Sequence, residues 1–175
     1  AVLNFIILKS THIIMDGSTK ALELIGKEVL IRDGDSYKTV TFDEFKAQLP
    51  ASVEFIGFYF GAHWAPPSRV FTTNLHKDFY SIVNEKEKVF EVIFVTEDKE
   101  KGHFDRNYCK MPWAAVPFPN EAQRQTLKSN FGVCDLPTLV VVSTKNWEKV
   151  TQQARDQIQS KGKILEAWRE KAASA

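Results

Sequence analysis

Two segments of this chain, Glu54 to Phe60 and Phe90 to Thr96, are apolar at nearly every position. A strand with one face in water alternates apolar and polar residues, so unbroken runs of this kind belong to strands covered on both faces. Between them, starting from Arg69, apolar residues recur at Phe71, Leu75, Phe79, Ile82 and Val83, one stripe of a helix ending near Asn84. Buried strand, helix and buried strand make a crossover unit, which is right-handed in nearly all proteins. The unit predicts a central sheet with helices on both faces.

The remaining segments fit around that unit. Glu28 to Arg32 reads as a strand, Asp33-Gly34-Asp35 as a turn and Tyr37 to Thr41 as the hairpin partner. Phe42 to Leu49 is a short helix stopped by Pro50, with Thr41 or Asp43 placed to cap its start. Asp98 is placed to cap a helix running to about Cys109. Trp113 to Phe118 is extended between prolines, with Trp113 and Phe118 as packing residues. Gln123 to Phe131 is helical and Gly132 closes it. Leu139 to Ser143 is a strand with Trp147 to Val150 as its hairpin partner, and Ala154 to Gln159 and Ile164 to Lys171 are helices. The expected organisation is an N-terminal extension over 1–24, one α/β domain over 25–160 and a C-terminal helical extension over 161–175.

Composition narrows the function classes. With 23 basic and 22 acidic residues well mixed, no basic patch for nucleic acid is expected. No apolar run is long enough to span a bilayer. The two cysteines, Cys109 and Cys134, are too far apart in sequence to be a disulfide framework. That fits a reducing intracellular compartment, the cytoplasm first, with a cilium or mitochondrion also compatible. Histidines 12, 63, 76 and 103 show no metal-ligand spacing, and neither a metal nor a cofactor is expected. Ala1 to Ile14 is apolar and β-branched but lacks the basic flank and cleavage site of a signal peptide, so an ordered extension with no targeting role is expected, with a processed organelle presequence as the alternative.

Trp64-Ala65-Pro66-Pro67-Ser68-Arg69 follows the first buried strand and enters the helix. A strand that delivers a Trp-x-Pro-Pro-x-Arg turn onto a helix N-terminus is a setting for a dithiol redox site, with cysteines at positions 65 and 68. Ala65 carries no nucleophile. The Ser68 hydroxyl stays protonated at neutral pH unless a base adjoins it. His63 is near in sequence, but a Ser–His hydrolytic pair also needs an orienting acid and an oxyanion hole, and hydrolysis is not expected.

Three separated motifs resemble one family. They are Phe58-Tyr59-Phe60-Gly61-Ala62-His63-Trp64-x-Pro66-Pro67-x-Arg69, then Lys110-Met111-Pro112-Trp113-Ala114-Ala115-Val116-Pro117-Phe118, then Phe131-Gly132-Val133-x-x-Leu136-Pro137-Thr138-Leu139. Together they resemble the tryparedoxin/nucleoredoxin branch of the thioredoxin superfamily, over about residues 25–160. The resemblance implies a thioredoxin fold, a central mixed sheet flanked by helices with an N-terminal hairpin. It also implies a cis bond between Leu136 and Pro137, beside the Trp64–Arg69 loop. In active relatives that loop reads Trp-Cys-Pro-Pro-Cys, and the first thiolate is favoured by the helix N-terminus. Here the positions of both cysteines hold other residues.

On that resemblance the expected function is a redox-inactive binding or structural subunit with protein partners, in a larger assembly. It would pair with extended peptide at Leu136 and Pro137. A second reading stays open: an oxidoreductase whose two active-site cysteines were changed to Ala65 and Ser68. The loop residues Trp64, Pro66, Pro67 and Arg69 are either a recognition surface or no more than the geometry of the turn. Cys134, three residues before Pro137, is a candidate lone reactive thiol, against the alternative of a small packing residue. Ile164, Leu165 and Trp168 form an apolar helical face that docks on the domain or on a partner. Deletion of Ala1 to Ile14 and Lys163 to Ala175 is expected to leave a folded domain.

Overall fold

A computed structural model of the protein describes residues 17–159 and 163–174. Ala1 to Ile14, and what was expected of it, lie outside those residues. The elements run α1 (Gly17–Ile25), β1 (Glu28–Asp33), β2 (Ser36–Thr41), α2 (Phe42–Gln48), β3 (Phe55–Gly61) and α3 (Pro66–Asn74). A π-helical stretch over Leu75–Tyr80 leads into a last turn, α4 (Ser81–Val83). Then come β4 (Phe90–Thr96), α5 (Lys101–Tyr108), β5 (Ala114–Ala115), α6 (Glu121–Phe131), β6 (Thr138–Ser143), β7 (Lys149–Thr151), α7 (Ala154–Gln159) and α8 (Ile164–Ala173).

The strands form one mixed seven-stranded sheet in the order β2-β1-β5-β4-β3-β6-β7. The two fully apolar runs are β3 and β4, parallel and adjacent near its centre, with every residue of both buried. Two cores lie on the two faces. One gathers Phe55, Tyr59, Phe71, Phe79, Phe90, Trp113, Ile158 and Trp168; the other gathers Ala21, Ile25, Phe45, Ile56, Phe58, Phe60 and Phe131. Alternate residues of β3 serve opposite faces, the period-2 geometry of a strand. Gly57 is the gap in that series: a Cβ there would lie 2.7 Å from the Phe90 ring and 2.9 Å from Leu139.

The hairpin β1–β2 and the capping of α2 form as expected. Thr41 accepts the Glu44 N–H, and the Glu44 carboxylate accepts the Thr41 N–H in return.

Four expectations are revised. The residues before 25 include a helix, α1, whose Ala21 and Ile25 are buried in the second core. It is held further by Gln123 Nε2 donating to the Glu23 and Leu24 carbonyls. The long helix keeps Phe71, Leu75 and Phe79 inward, but Ile82 is 61% exposed. The π-helical turn contains more residues than an α-turn, and the extra residue carries Ile82 off the buried stripe. The strand after the last turn begins at Lys149, because Trp147 adopts φ 59° and closes the turn by donating its N–H to the Ser143 carbonyl. The C-terminal helix is part of the core: Trp168 is 1% exposed and Ile164 9%. Removal of Lys163 to Ala175, expected to leave the domain folded, would therefore uncover core residues.

Candidate functional site

In the parallel pairing β3 ends at Gly61 beside Thr96, the last residue of β4. β6 begins at Thr138 opposite Phe60. The loops after the two parallel strands and the segment entering β6 therefore meet at one end of the sheet, where open α/β sheets present ligand-binding loops. The Leu136–Pro137 peptide is cis. By register Pro137 comes alongside Gly61, within about 5 Å, the spacing of neighbouring strands. That brings it to the entry of the Trp64–Arg69 loop.

Ala65 occupies the residue just before α3, in an extended conformation with no side-chain cap. Pro66 and Pro67 take the first helical positions, where a missing N–H forfeits no helical bond. The turn is closed by its own backbone: Ala65 N–H donates to the Ala62 carbonyl (3.3 Å), and Ser68 N–H to the Ala65 carbonyl (3.0 Å). Arg69 Nη1 donates back to the His63 carbonyl, and Trp64 Nε1 donates to the Glu97 carbonyl at 3.3 Å.

Asp98 fastens this loop to β4. It is 2% exposed; Oδ1 accepts the His63 N–H at 2.8 Å and Oδ2 accepts the Thr96 hydroxyl at 3.0 Å. The expectation that Asp98 caps the following helix is thereby corrected. Glu100 precedes α5 with no side-chain cap, and the buried carboxylate is committed to the neighbouring strand's loop instead.

Tyr59 supports α3 from below. Its hydroxyl donates to the Ser68 carbonyl at 2.9 Å and lies 2.8 Å from the Thr72 hydroxyl. Burial pushes the phenol well above its usual range, so it is a neutral donor at physiological pH. Gly61 makes room for it: a Cβ at that position would lie 2.7 Å from the Tyr59 oxygen.

Positions 65 and 68 are both buried. Ala65 is 7% exposed and Ser68 1%. The Ser68 hydroxyl and His63 Nδ1 are both buried and unbonded, so no Ser–His hydrogen bond is assembled. Burial, aided by the nearby Arg106 and Arg69 charges, holds the His63 imidazole below the usual histidine range against the pull of Asp98. Its ring stacks loosely on His103, with centroids 5.6 Å apart. Among the described residues no group of three or more His, Cys, Asp or Glu is placed to hold a metal ion.

Around this buried pair the surface is apolar and open. Trp64 is 55% exposed and Val70 62%, and Pro66 and Pro67 are exposed between them. Leu136 is half-buried, and its N–H and C=O take part in no hydrogen bond among the described residues. The Pro137 carbonyl is occupied by Arg155 Nη1 at 3.3 Å.

Cys134 is exposed, as is Cys109, so neither is a packing residue. Both thiols are expected to react with iodoacetamide in the folded protein, at rates close to those in denaturant. A thiol that is modified only after unfolding, by mass spectrometry of the native reaction, would contradict this exposure.

Tyr59, Gly61 and Asp98 carry the site, and motif reading overlooked their roles. The available signal was a hydroxyl inside an otherwise apolar strand, since a buried donor needs a partner close by.

A family model described as thioredoxin-like matches residues 54–148. The chain belongs to the tryparedoxin/nucleoredoxin branch of this thioredoxin-like family. It is 38% identical over 104 residues to nucleoredoxin of Danio rerio, a match covering 59% of this chain and 24% of that protein. The aligned part is thus about a quarter of the nucleoredoxin's length. Among solved structures it is similar to native tryparedoxin I from Crithidia fasciculata, with 33% identity and TM-score 0.66, covering 83% of this chain and 92% of the other. It is also similar to tryparedoxin II from C. fasciculata, with 29% identity and TM-score 0.69 over 83% and 90% of the two chains. The matched family segment contains the whole Trp64–Arg69 loop, Asp98 and Pro137. In this chain the Trp64–Arg69 loop is closed by its own backbone and held in place, with Ala65 just before α3 and Ser68 in its first turn.

Proposed function

We propose that this thioredoxin-like protein binds extended segments of protein partners at the surface between Trp64 and Leu136, without dithiol chemistry. The observation that carries the reading is the pair Ala65 and Ser68 in an otherwise complete loop. Disulfide exchange needs a thiolate to attack and a second thiol to resolve the mixed disulfide. A methyl group and a neutral hydroxyl do neither.

Peptide binding needs none of the missing sulfur. Leu136 offers a backbone donor and acceptor that are unpaired among the described residues, beside the cis-proline, the requirement for adding a strand-like segment. Trp64 and Val70 offer exposed apolar area on the loop and helix that start from the same end of the sheet, and aromatic anchors dominate binding at such surfaces.

The test has two arms. Thiol-dependent reduction of insulin should not exceed the background of the dithiol reagent. Selection from a phage library of unstructured peptides should enrich sequences whose binding falls at least about ten-fold in Trp64→Ala. Insulin turnover above background would defeat the redox-inactive reading, and a library that enriches nothing, or that ignores Trp64, would defeat the binding reading. The second reading, an oxidoreductase with both cysteines replaced, is decided by the source gene's codons at 65 and 68.

A further inference from the structure

His63, the neighbour of the exposed Trp64, belongs to a cluster of cationic and imidazole groups contributed by three elements. His63 comes from the loop, Arg69 from α3, and His103 and Arg106 from α5. The His63 and His103 rings lie 5.6 Å apart. Arg69 holds its guanidinium beside His63 by donating from Nη1 to the His63 carbonyl. Arg106 follows His103 by three residues, so the two share one face of α5. The charges of both arginines reach the His63 imidazole, which they help to hold below the usual histidine range.

Among the described residues no acid answers these cations. Arg69 and Arg106 are exposed, and neither forms an ion pair there. Asp98, the carboxylate that acts on His63, is buried, and both its oxygens are engaged, by the His63 N–H and the Thr96 hydroxyl. α3 has no other charged residue. The remaining charges of α5 and of the loop before it cancel. Lys99 and Glu100 are adjacent, exposed and opposite in sign. Lys101 pairs with Asp105 at 2.7 Å, and Glu97 with Lys128 at 2.7 Å. On the other flank, next to Leu136, stands Asp135, exposed and without an ion pair among the described residues. The surface is thus positive at its α5 end and negative at its Leu136 end. Cations held close together repel one another, and an anion placed among them relieves that repulsion.

We propose that the extended segments bound at the Trp64 surface are acidic where they leave it over α5, with an Asp or Glu carboxylate seated among Arg69, His103 and Arg106. The inference rests on the reading of that surface as a peptide site, and adds a charge and a direction to it. A guanidinium forks onto a carboxylate through two N–H groups, and Arg69 and Arg106 each keep donors free for one. Asp135 sets the direction, because it disfavours a second carboxylate at the Leu136 end. Complementary charge of this kind selects and orients partners more than it adds affinity.

Selection from a random-peptide phage library on the full chain, on Arg106→Glu and on Lys86→Glu tests this. Both variants reverse one exposed cation, and Lys86 lies before β4, at the opposite end of the sheet. Peptides enriched on the parent should carry Asp or Glu on one flank of an apolar core at least about three times as often as the unselected library. On Arg106→Glu that excess should vanish or turn to Lys and Arg; on Lys86→Glu it should persist. In the best acidic peptide, made synthetically, exchanging the acids for Asn or Gln should weaken binding to the parent at least about five-fold, and binding to Arg106→Glu less than about two-fold, by fluorescence anisotropy. Enrichment that depends on Trp64 but shows no acidic excess overturns this inference and leaves the peptide site standing. So does an excess that Arg106→Glu leaves unchanged, or that Lys86→Glu also removes. A library that enriches nothing overturns both.

Discussion

Replacing Trp168 by alanine should lower the stability of the protein by about 3–5 kcal/mol, the cost of emptying a buried aromatic site. The indole is 1% exposed. It packs on three rings from the strands and the long helix, with centroids 5.7 Å from Phe55, 5.4 Å from Phe79 and 5.6 Å from Phe90. Its Nε1 donates to Gln157 Oε1 at 2.9 Å, tying α8 to α7. Since a domain of this kind holds together by roughly 5–15 kcal/mol, that single change removes a large fraction of the total. Ending the chain at Gln159 should cost more. It strips the cover from Phe55, Phe79 and Phe90 and removes the Arg169–Glu54 pair that holds α8 to the start of β3. Equilibrium urea unfolding should show a lower midpoint with little change in slope for Trp168→Ala. An unchanged midpoint would mean that α8 is an appendage and that the core closes without it.

Introducing two thiols, Ala65→Cys with Ser68→Cys, should take the chain from background to measurable reduction of insulin disulfides. The frame for that chemistry is in place. Position 65 sits at the N-terminus of α3, where the helix field lowers a thiol pKa and raises the thiolate fraction. Tyr59 and Asp98 hold the loop from below and from β4. Position 68 carries a prediction of its own. A hydroxyl buried to 1% with no hydrogen-bond partner costs about 1–3 kcal/mol. A thiol in the same place behaves as a small apolar group, so Ser68→Cys alone should raise stability by about 1 kcal/mol under reducing conditions. Failure of the double variant to exceed background, with its fold intact and its thiols free, would mean that the loop lacks more than two thiols. A Ser68→Cys protein less stable than the parent would show that the hydroxyl has a partner in solution.

The sequence by itself settled the central elements of the architecture. Two runs apolar on both faces, a helical stripe between them and turn chemistry at Asp33-Gly34-Asp35 are local patterns. Local periodicity is enough to say that a strand is buried or that a helix has an apolar face. The absence of cysteine at 65 and 68 is likewise legible without coordinates. So is the frame around it, because prolines just inside a helix start have a backbone reason to be there.

What the tertiary structure alone decided concerns partners distant along the chain. Asp98 reads as a helix cap, since a short polar side chain ahead of a helical segment usually is one. Its carboxylate instead reaches the His63 N–H, 35 residues away. Gly57 and Gly61 look like weak points in a strand, yet each leaves space that a neighbouring aromatic ring occupies. Ile82 fits the helical stripe by spacing and leaves it because a π-helical turn intervenes. Trp168 could have faced a partner and instead closes the protein's own core. Periodicity records which residues avoid water. It does not record which surface removes them from it, because that depends on where folding brings the other segments of the chain.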